Sequence, residues 1–207
     1  MLRLHDNATS GNAYKIRLLL AQLGLPFERI EYDIDHGATR TAQFLETKNA
    51  NGRIPVLELD GGRCLPESNA ILWYLAEGTR YLRGAADEDS RWRRGQVLQW
   101  MFFEQYSHEP NIATVRYWIT HKLEMTPERV AALPGKRRSG AAALQVMEQH
   151  LHARAFFVGD EYTIADLALY AYTHVAPEGG FDLSPFPAIR AWLARVAAQP
   201  GHIKITD

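Results

Sequence analysis

The sequence has little that would suit an oxidising compartment or a membrane. Its 207 residues include a single cysteine, Cys64. One thiol cannot form an intramolecular disulfide, and it cannot build a zinc site from several cysteines. The chain also lacks any run of about 18 apolar residues, and its first residues do not follow the basic-then-apolar order of a signal peptide. We therefore expect a soluble, cytoplasmic protein without a membrane partner.

An excess of either charge is also lacking. The chain has 23 Lys and Arg against 24 Asp and Glu, for a formal net charge of −1. The balance holds in both halves, whereas a nucleic-acid binder concentrates cations to neutralise phosphates. The sequence thus predicts no nucleic-acid partner. Its 46% hydrophobic content is ample for a core, and its length suits one large domain or two small ones.

The first half alternates strands and helices. Apolar spacing predicts a strand, a helix and a parallel strand, followed by a short helix. Two further strands flank Gly61-Gly62, which is typical of a hairpin, and a helix follows them. The predicted order is βαβ-ββα, over residues 2–6, 12–23, 27–34, 41–47, 53–60, 63–66 and 67–77.

The second half carries only helical patterns. These cover residues 90–119, 127–151, 163–174 and 187–198, with an interruption expected near Pro110 and a kink expected at Pro134-Gly135. We therefore predict an α/β domain over residues 1–78, a linker over 79–88 and an all-α domain over 89–207.

Pro55 stands where a strand should begin. Proline in a strand lacks a ladder donor, so one interpretation is a proline that opens the strand. The other is a cis Ile54-Pro55 bond that turns the backbone, so that Ile54 offers its N–H and C=O to an extended ligand.

Two predicted helix starts carry polar residues. Glu67 and Ser68 precede one helix, where either could be a cap, or Ser68 could bind a carboxylate while Glu67 accepts from an ammonium group. Ser10 precedes another, as a cap or as a hydrogen-bond donor to a thiolate. Lowering a thiol pKa from about 8.5 to about 6.5 costs about 2.7 kcal/mol, which one charge-assisted hydrogen bond of about 1.5–3 kcal/mol can supply.

These features, in this order, resemble the cytosolic glutathione transferases, and the resemblance covers nearly the whole chain. Four segments carry it: TSGNAYKIRLLL, GRIPVLELDGG, PESNAILWYLA and GDEYTIADLALYAY. Each alone is weak, but together they are specific. The resemblance, which is to serine-type bacterial members, implies a thioredoxin-like first domain that binds glutathione as co-substrate, followed by an all-helical domain.

The resemblance also implies roles for individual residues. Ser10 and Asn12 fall where the family stabilises the glutathione thiolate. Arg53 matches a side chain near the glycyl carboxylate, Ile54 a backbone partner of the cysteinyl unit, and Glu67 with Ser68 the pair that holds the γ-glutamyl end. One segment departs from the family pattern: it is one residue longer than usual and has Ala50 where proline is common. The family's glutathione contacts therefore do not carry over to individual residues from Arg40 to Lys48.

The helical half is expected to supply the substrate pocket. Aromatics at residues 100–118 are largely typical of a core, but the family's arrangement makes Phe103 and Tyr106 candidates for the wall of an electrophile pocket. Thr163 and Asp166 have the spacing of a capping box, which with Gly159 matches a folding motif of the family rather than a catalytic one. The histidines are scattered, so no metal is expected.

The leading functional hypothesis is conjugation of reduced glutathione to small hydrophobic electrophiles, a detoxification reaction. Cys64 is expected to be structural, because it lies away from the first helix. A second hypothesis is glutathione-dependent disulfide reduction, in which the glutathione sulfur performs the exchange. A third is a non-enzymatic binding module of the same fold. The resemblance further implies a homodimer.

Overall fold

The computed structural model describes residues 1–83 and 87–207. The chain divides into two compact units: Met1–Leu82 with Pro200–Asp207, and Arg83–Gln199. The predicted linker, residues 79–88, stays a prediction, and its residues 84–86 lie outside the described part. The predicted helical domain included the last eight residues, whereas in the structure they group with the first unit.

The first unit contains a four-stranded mixed sheet in the order β2-β1-β3-β4. Its strands are β1 (Leu2–Asp6), β2 (Phe27–Glu31), β3 (Val56–Glu58) and β4 (Cys64–Pro66). β1 pairs with β2 in parallel, while β3 is antiparallel to both β1 and β4. The parallel pair and the hairpin are as the sequence predicts.

Three α-helices belong to this unit: α1 (Gly11–Leu23), α2 (Ala42–Thr47) and α3 (Ser68–Ala76). α1 ends at Gly24, whose φ of 65° is left-handed and favours glycine, and whose N–H donates to the last carbonyls of the helix. α1 and α3 pack together. Their apolar faces and Leu4 and Leu57 of the sheet are fully buried and form the core.

Hydrogen bonds to α1 explain why the C-terminal tail joins the first unit. The Tyr14 hydroxyl donates to the carbonyl of Ile203 at 2.7 Å, and Arg17 Nη2 donates to the carbonyl of Ile205 at 2.7 Å. The tail forms no helix or strand, so its sequence has no apolar periodicity from which this position could be predicted.

The second unit is helical. Its α-helices are α4 (Glu88–Phe103), α5 (Glu109–Thr120), α6 (Pro127–Leu151), α7 (Ile164–Thr173) and α8 (Pro187–Ala197). The predicted interruption near Pro110 is a π-helical turn, Glu104–His108, and Pro110 lies in the first turn of α5, where its missing N–H is tolerated. α6 continues through Pro134. The predicted fold class is confirmed.

A buried capping box begins α7. Thr163 Oγ1 accepts from the N–H of Ala165, and the fully buried Asp166 carboxylate accepts from the N–H of Thr163 at 2.9 Å. The N–H of Phe157 and the indole N–H of Trp192 also donate to Asp166. Burial raises the pKa of Asp166 to about 6, although these donors favour the carboxylate. The predicted capping motif is thus confirmed.

Candidate active site

The start of α1 places a hydroxyl beside an amide. Ser10 is the N-cap residue, with extended backbone angles, and its Oγ accepts from the N–H of Ala13 at 3.2 Å. The capping interpretation is therefore correct, but it uses only a lone pair of Oγ. The Ser10 hydroxyl proton is left to donate to another acceptor, so the two predicted roles are compatible.

Asn12 and Ser68 connect the starts of α1 and α3. Ser68 Oγ donates to Asn12 Oδ1 at 3.1 Å, although 56 positions separate the two residues. Ser68 is buried and Asn12 is half-buried. Because the Ser68 hydroxyl proton is used on Asn12, the donor that this position offers to a ligand is its backbone N–H.

The start of α3 is open. Glu67 occupies the N-cap position with a φ of 70°, a left-handed value that costs a residue with a Cβ free energy. Its exposed side chain makes no capping hydrogen bond within the described part of the chain. The first N–H groups of a helix have no intrahelical partner and attract negative charge. This end of the helix therefore suits a carboxylate.

The Ile54-Pro55 peptide bond is cis. Pro55 directly precedes β3, and Val56 pairs with Pro66 in the antiparallel register. Ile54-Pro55 and Glu67-Ser68 therefore lie at the same end of the β3-β4 pair. Arg53 is exposed, and its carbonyl accepts from the Asn49 side chain at 2.9 Å.

Lys15 is a polar residue of this region that the sequence reasoning missed. It is fully buried on α1, and its ammonium donates to Ser68 Oγ at 3.3 Å and to Asn69 Oδ1 at 3.5 Å. A signal was present, because α1 has Lys15 and Arg17 on an otherwise apolar segment and contains no acidic residue. Buried cations without an acid on their own helix require partners from elsewhere in the fold.

A second polar cluster in this unit surrounds Glu58. This carboxylate accepts from Lys48 at 2.6 Å and lies 2.8 Å from His5 Nε2. Hydrogen bonds from Lys48 and then His5 lower the pKa of Glu58 to about 2. Lys48 therefore has a partner within the protein, as does Arg40, whose guanidinium donates to the carbonyl of Asn51.

Cys64 lies in β4 and is half-buried. Burial raises the pKa of its thiol, which reduces the thiolate fraction at neutral pH. This environment suits an unreactive thiol and fits the expected structural role.

Phe103 and Tyr106 lie in the second unit, at the end of α4 and in the π-helical turn. They line a surface cavity of about 330 Å³, with Ala142 and Val146 of α6 among its other walls. Tyr106 is 87% exposed, so it is not a core residue. Over residues 1–83 and 87–207, no helix is long and apolar enough to cross a membrane, and no cluster of three His, Cys, Asp or Glu could hold a metal.

Family models match both parts of the chain. The model for the N-terminal domain of glutathione S-transferase matches residues 1–77, and the model for its C-terminal domain matches residues 112–200. Together they span most of the sequence, and their order is the predicted one.

Individual proteins agree with these models. A glutathione S-transferase structure from Pseudomonas fluorescens is 48% identical, with a TM-score of 0.93 over 100% of this chain and 99% of that one. Glutathione S-transferase 3 of Zea mays is 30% identical over 98% of this chain and 92% of its own. Glutathione transferase URE2P6 from Phanerochaete chrysosporium, solved with oxidised glutathione, shares the fold at 24% identity and a TM-score of 0.83, over 97% and 92% of the two chains. The chain therefore belongs to the glutathione S-transferase family.

Proposed function

We propose that this protein binds reduced glutathione in its first unit, holds it as the thiolate, and conjugates it to small hydrophobic electrophiles. One observation carries the proposal: the Ser10 hydroxyl lies at the start of α1, and its contact with Ala13 uses the oxygen and not the proton. The family assignment supports the same conclusion.

The donor set of the first unit fits the parts of glutathione. The open start of α3, with the Ser68 N–H, suits the γ-glutamyl carboxylate, and the Glu67 carboxylate suits its ammonium group. The Ile54 backbone suits the cysteinyl peptide, and the exposed Arg53 suits the glycyl carboxylate. The polar groups of the chain thus match the ligand in sign and type.

Bound glutathione supplies the nucleophile, whose sulfur forms a bond to an electrophilic carbon while the leaving group departs with its electron pair. The residues of the chain stabilise negative charge on that sulfur. A hydroxyl donor favours the thiolate over the thiol, and the N-terminus of α1 adds a smaller contribution of the same sign. Cys64, whose thiol pKa is raised, is not needed.

We propose that the cavity lined by Phe103 and Tyr106 receives the hydrophobic electrophile. Its walls combine these aromatic rings with Ala142 and Val146, which suit an apolar substrate, and with polar groups such as Asn111. Tyr106→Ala should raise KM for a chloro-aromatic electrophile more than KM for glutathione. Equal changes in both values would argue against this assignment.

The experiment that tests the thiolate proposal is an ultraviolet titration of bound glutathione. Ser10→Ala should raise the bound thiol pKa by about one to two units, because one charge-assisted hydrogen bond is lost. Thr9→Ala is the matched control, since it removes an adjacent, exposed hydroxyl that donates to Asn7. An unchanged titration in Ser10→Ala would remove Ser10 from the mechanism.

Glutathione-dependent disulfide reduction is a second candidate. It is favoured by Asn12 at the start of α1, together with the position of the chain's only cysteine in β4. No protein thiol is required, because the glutathione sulfur performs the exchange. Turnover of a small disulfide, measured beside that of a chloro-aromatic electrophile, distinguishes the two activities, and a complete lack of disulfide turnover would exclude this candidate.

We also propose that the protein is a homodimer, as is typical of the family. Sedimentation equilibrium should give twice the chain mass of 23.5 kDa, and a monomeric mass across the concentration range would refute this.

A further inference from the structure

The buried ammonium of Lys15 begins a chain of hydrogen bonds. An ammonium group donates and cannot accept, so Ser68 Oγ accepts from Lys15 at 3.3 Å. Ser68 keeps its own hydroxyl proton, which it donates to Asn12 Oδ1 at 3.1 Å. The sequence of donors therefore runs from Lys15 through Ser68 to Asn12.

This bond orients the Asn12 amide. Since Oδ1 accepts from Ser68, Nδ2, the other branch of the planar amide group, is directed away from Ser68. Asn12 follows Ser10 by two residues at the start of α1, where the proposed function places the thiolate sulfur. An amide N–H stabilises a thiolate, whereas an amide oxygen in the same place would repel it.

We propose that Lys15 is a positioning residue: acting through Ser68, it holds Asn12 so that the amide nitrogen, and not the oxygen, faces the glutathione sulfur. The inference rests on the proposed function and extends it to a residue that need not touch the ligand. It also explains a costly feature, because burying a lysine completely requires compensating interactions.

A purely structural lysine is the alternative. Lys15 also donates to Asn69 in α3, so it ties the two helices together whatever Asn12 does. Removing such a tie would lower the free energy of unfolding. It would leave unchanged the pKa of the thiol in molecules that remain folded and bound, so this pKa separates the two roles.

The test is a set of titrations of the bound glutathione thiol by its thiolate absorbance. Lys15→Met keeps an unbranched side chain of similar length and removes the donor. We expect it to raise the bound thiol pKa by about one unit, and Asn12→Ala to do the same. Because Lys15 acts through Asn12, the double variant should show a smaller rise than the sum of the two single rises.

Lys204→Met is the matched control. It removes another ammonium from the same unit, but an exposed one in the C-terminal tail. We expect it to leave the thiol pKa unchanged. If Lys15→Met does not fold, Ser68→Ala interrupts the same chain of bonds while retaining both the lysine and the backbone N–H. A rise of about half a unit in Ser68→Ala, absent in the Asn12→Ala background, supports the proposal.

The outcomes separate this inference from the function on which it rests. If the thiol titrates in the unmodified protein as free glutathione does, the thiolate proposal fails, and this inference fails with it. If the unmodified protein lowers the thiol pKa but neither Lys15→Met nor Ser68→Ala changes it, only the positioning role is overturned. Strictly additive rises in the double variant overturn it as well.

Discussion

The starts of α7 and α3 differ in whether side chains cap the first turn of the helix. At α7, Thr163 and Asp166 satisfy the first backbone donors, and the Asp166 carboxylate also accepts from Phe157 and Trp192. At α3, Glu67 has a positive φ and provides no side-chain cap within the described chain. The first arrangement is buried and complete, so it stabilises the fold. The second leaves donors for an anion, so it suits binding.

The start of α1 lies between these two extremes. Ser10 caps the helix by accepting from Ala13, yet its hydroxyl proton is not used in that contact. A cap that accepts through oxygen can therefore stabilise the fold and donate to a ligand at the same time. The identity of the cap residue alone does not distinguish a folding role from a binding role.

The largest expected effect comes from removing the cap of α7, which we call the closed start. Asp166→Ala leaves the donors of Thr163, Phe157 and Trp192 buried without their acceptor, so the free energy of unfolding should fall by about 3–4 kcal/mol. Denaturant unfolding measures this. Asp160→Ala, in the exposed part of the same loop, is the matched control and should change stability by less than about 0.5 kcal/mol. A loss below about 1 kcal/mol in Asp166→Ala would contradict the view that the closed start stabilises the fold.

An effect of intermediate size concerns how the stabilising contribution of Asp166 at the closed start depends on pH. The folded-state pKa of Asp166 is about 6, above its unfolded value of 3.8, so the folded protein retains this proton at a higher pH than the unfolded chain. Its stabilising contribution is therefore complete below pH 3.8 and is lost as pH rises through about 6. We expect the difference in unfolding free energy between the parent and Asp166→Asn to shrink by about 2–3 kcal/mol between pH 4 and pH 7.

Glu58→Gln provides the control of opposite sign. The folded-state pKa of Glu58 is about 2, below its unfolded value of 4.5, because Lys48 and His5 favour the carboxylate. Its contribution is present above pH 4.5 and is lost as pH falls toward 2. Unfolding curves at several pH values should show that, as pH rises, the difference in unfolding free energy from the parent shrinks for Asp166→Asn and grows for Glu58→Gln. Parallel behaviour of the two would refute this account of the Asp166 environment.

The smallest expected effect concerns the open start. Glu67→Gly relieves the left-handed backbone, which gains about 1–2 kcal/mol, but glycine loses about 0.5–1 kcal/mol in chain entropy. Stability should therefore rise by up to about 1.5 kcal/mol. Glutathione affinity, measured by calorimetry, should fall about tenfold because the carboxylate is lost. Glu67→Gln keeps the Cβ and should weaken binding without the gain in stability. Equal stability of the two variants would contradict the strain argument.

Much of the fold was predictable from local pattern. The apolar spacing of α1 and the Gly-Gly turn between β3 and β4 act over a few residues, and each was located from the sequence. The capping box was predicted from the spacing of Thr163 and Asp166, because its geometry involves a single helical turn. β2 is shorter than predicted, ending at Glu31, because alternating residues continue beyond the last ladder pair with β1.

The candidate site was predictable only in part. Ser10, Asn12, Arg53, Ile54, Glu67 and Ser68 came from position within a family pattern. The hydrogen bonds from Ser68 to Asn12 and from Lys15 to Ser68 join segments more than fifty residues apart. No local periodicity encodes such contacts, since they follow from how α1 and α3 pack.

By itself, the sequence determined which segments of this protein become helices and strands, where most of them end, and which residue types were available for thiolate and carboxylate recognition. These properties depend on neighbours along the chain. Only the tertiary structure decided that Lys15 donates to Ser68 and that Lys48 donates to Glu58. It also decided that the C-terminal tail contacts α1. A hydrogen bond depends on distance and direction in space, and these are fixed only when distant segments pack against one another.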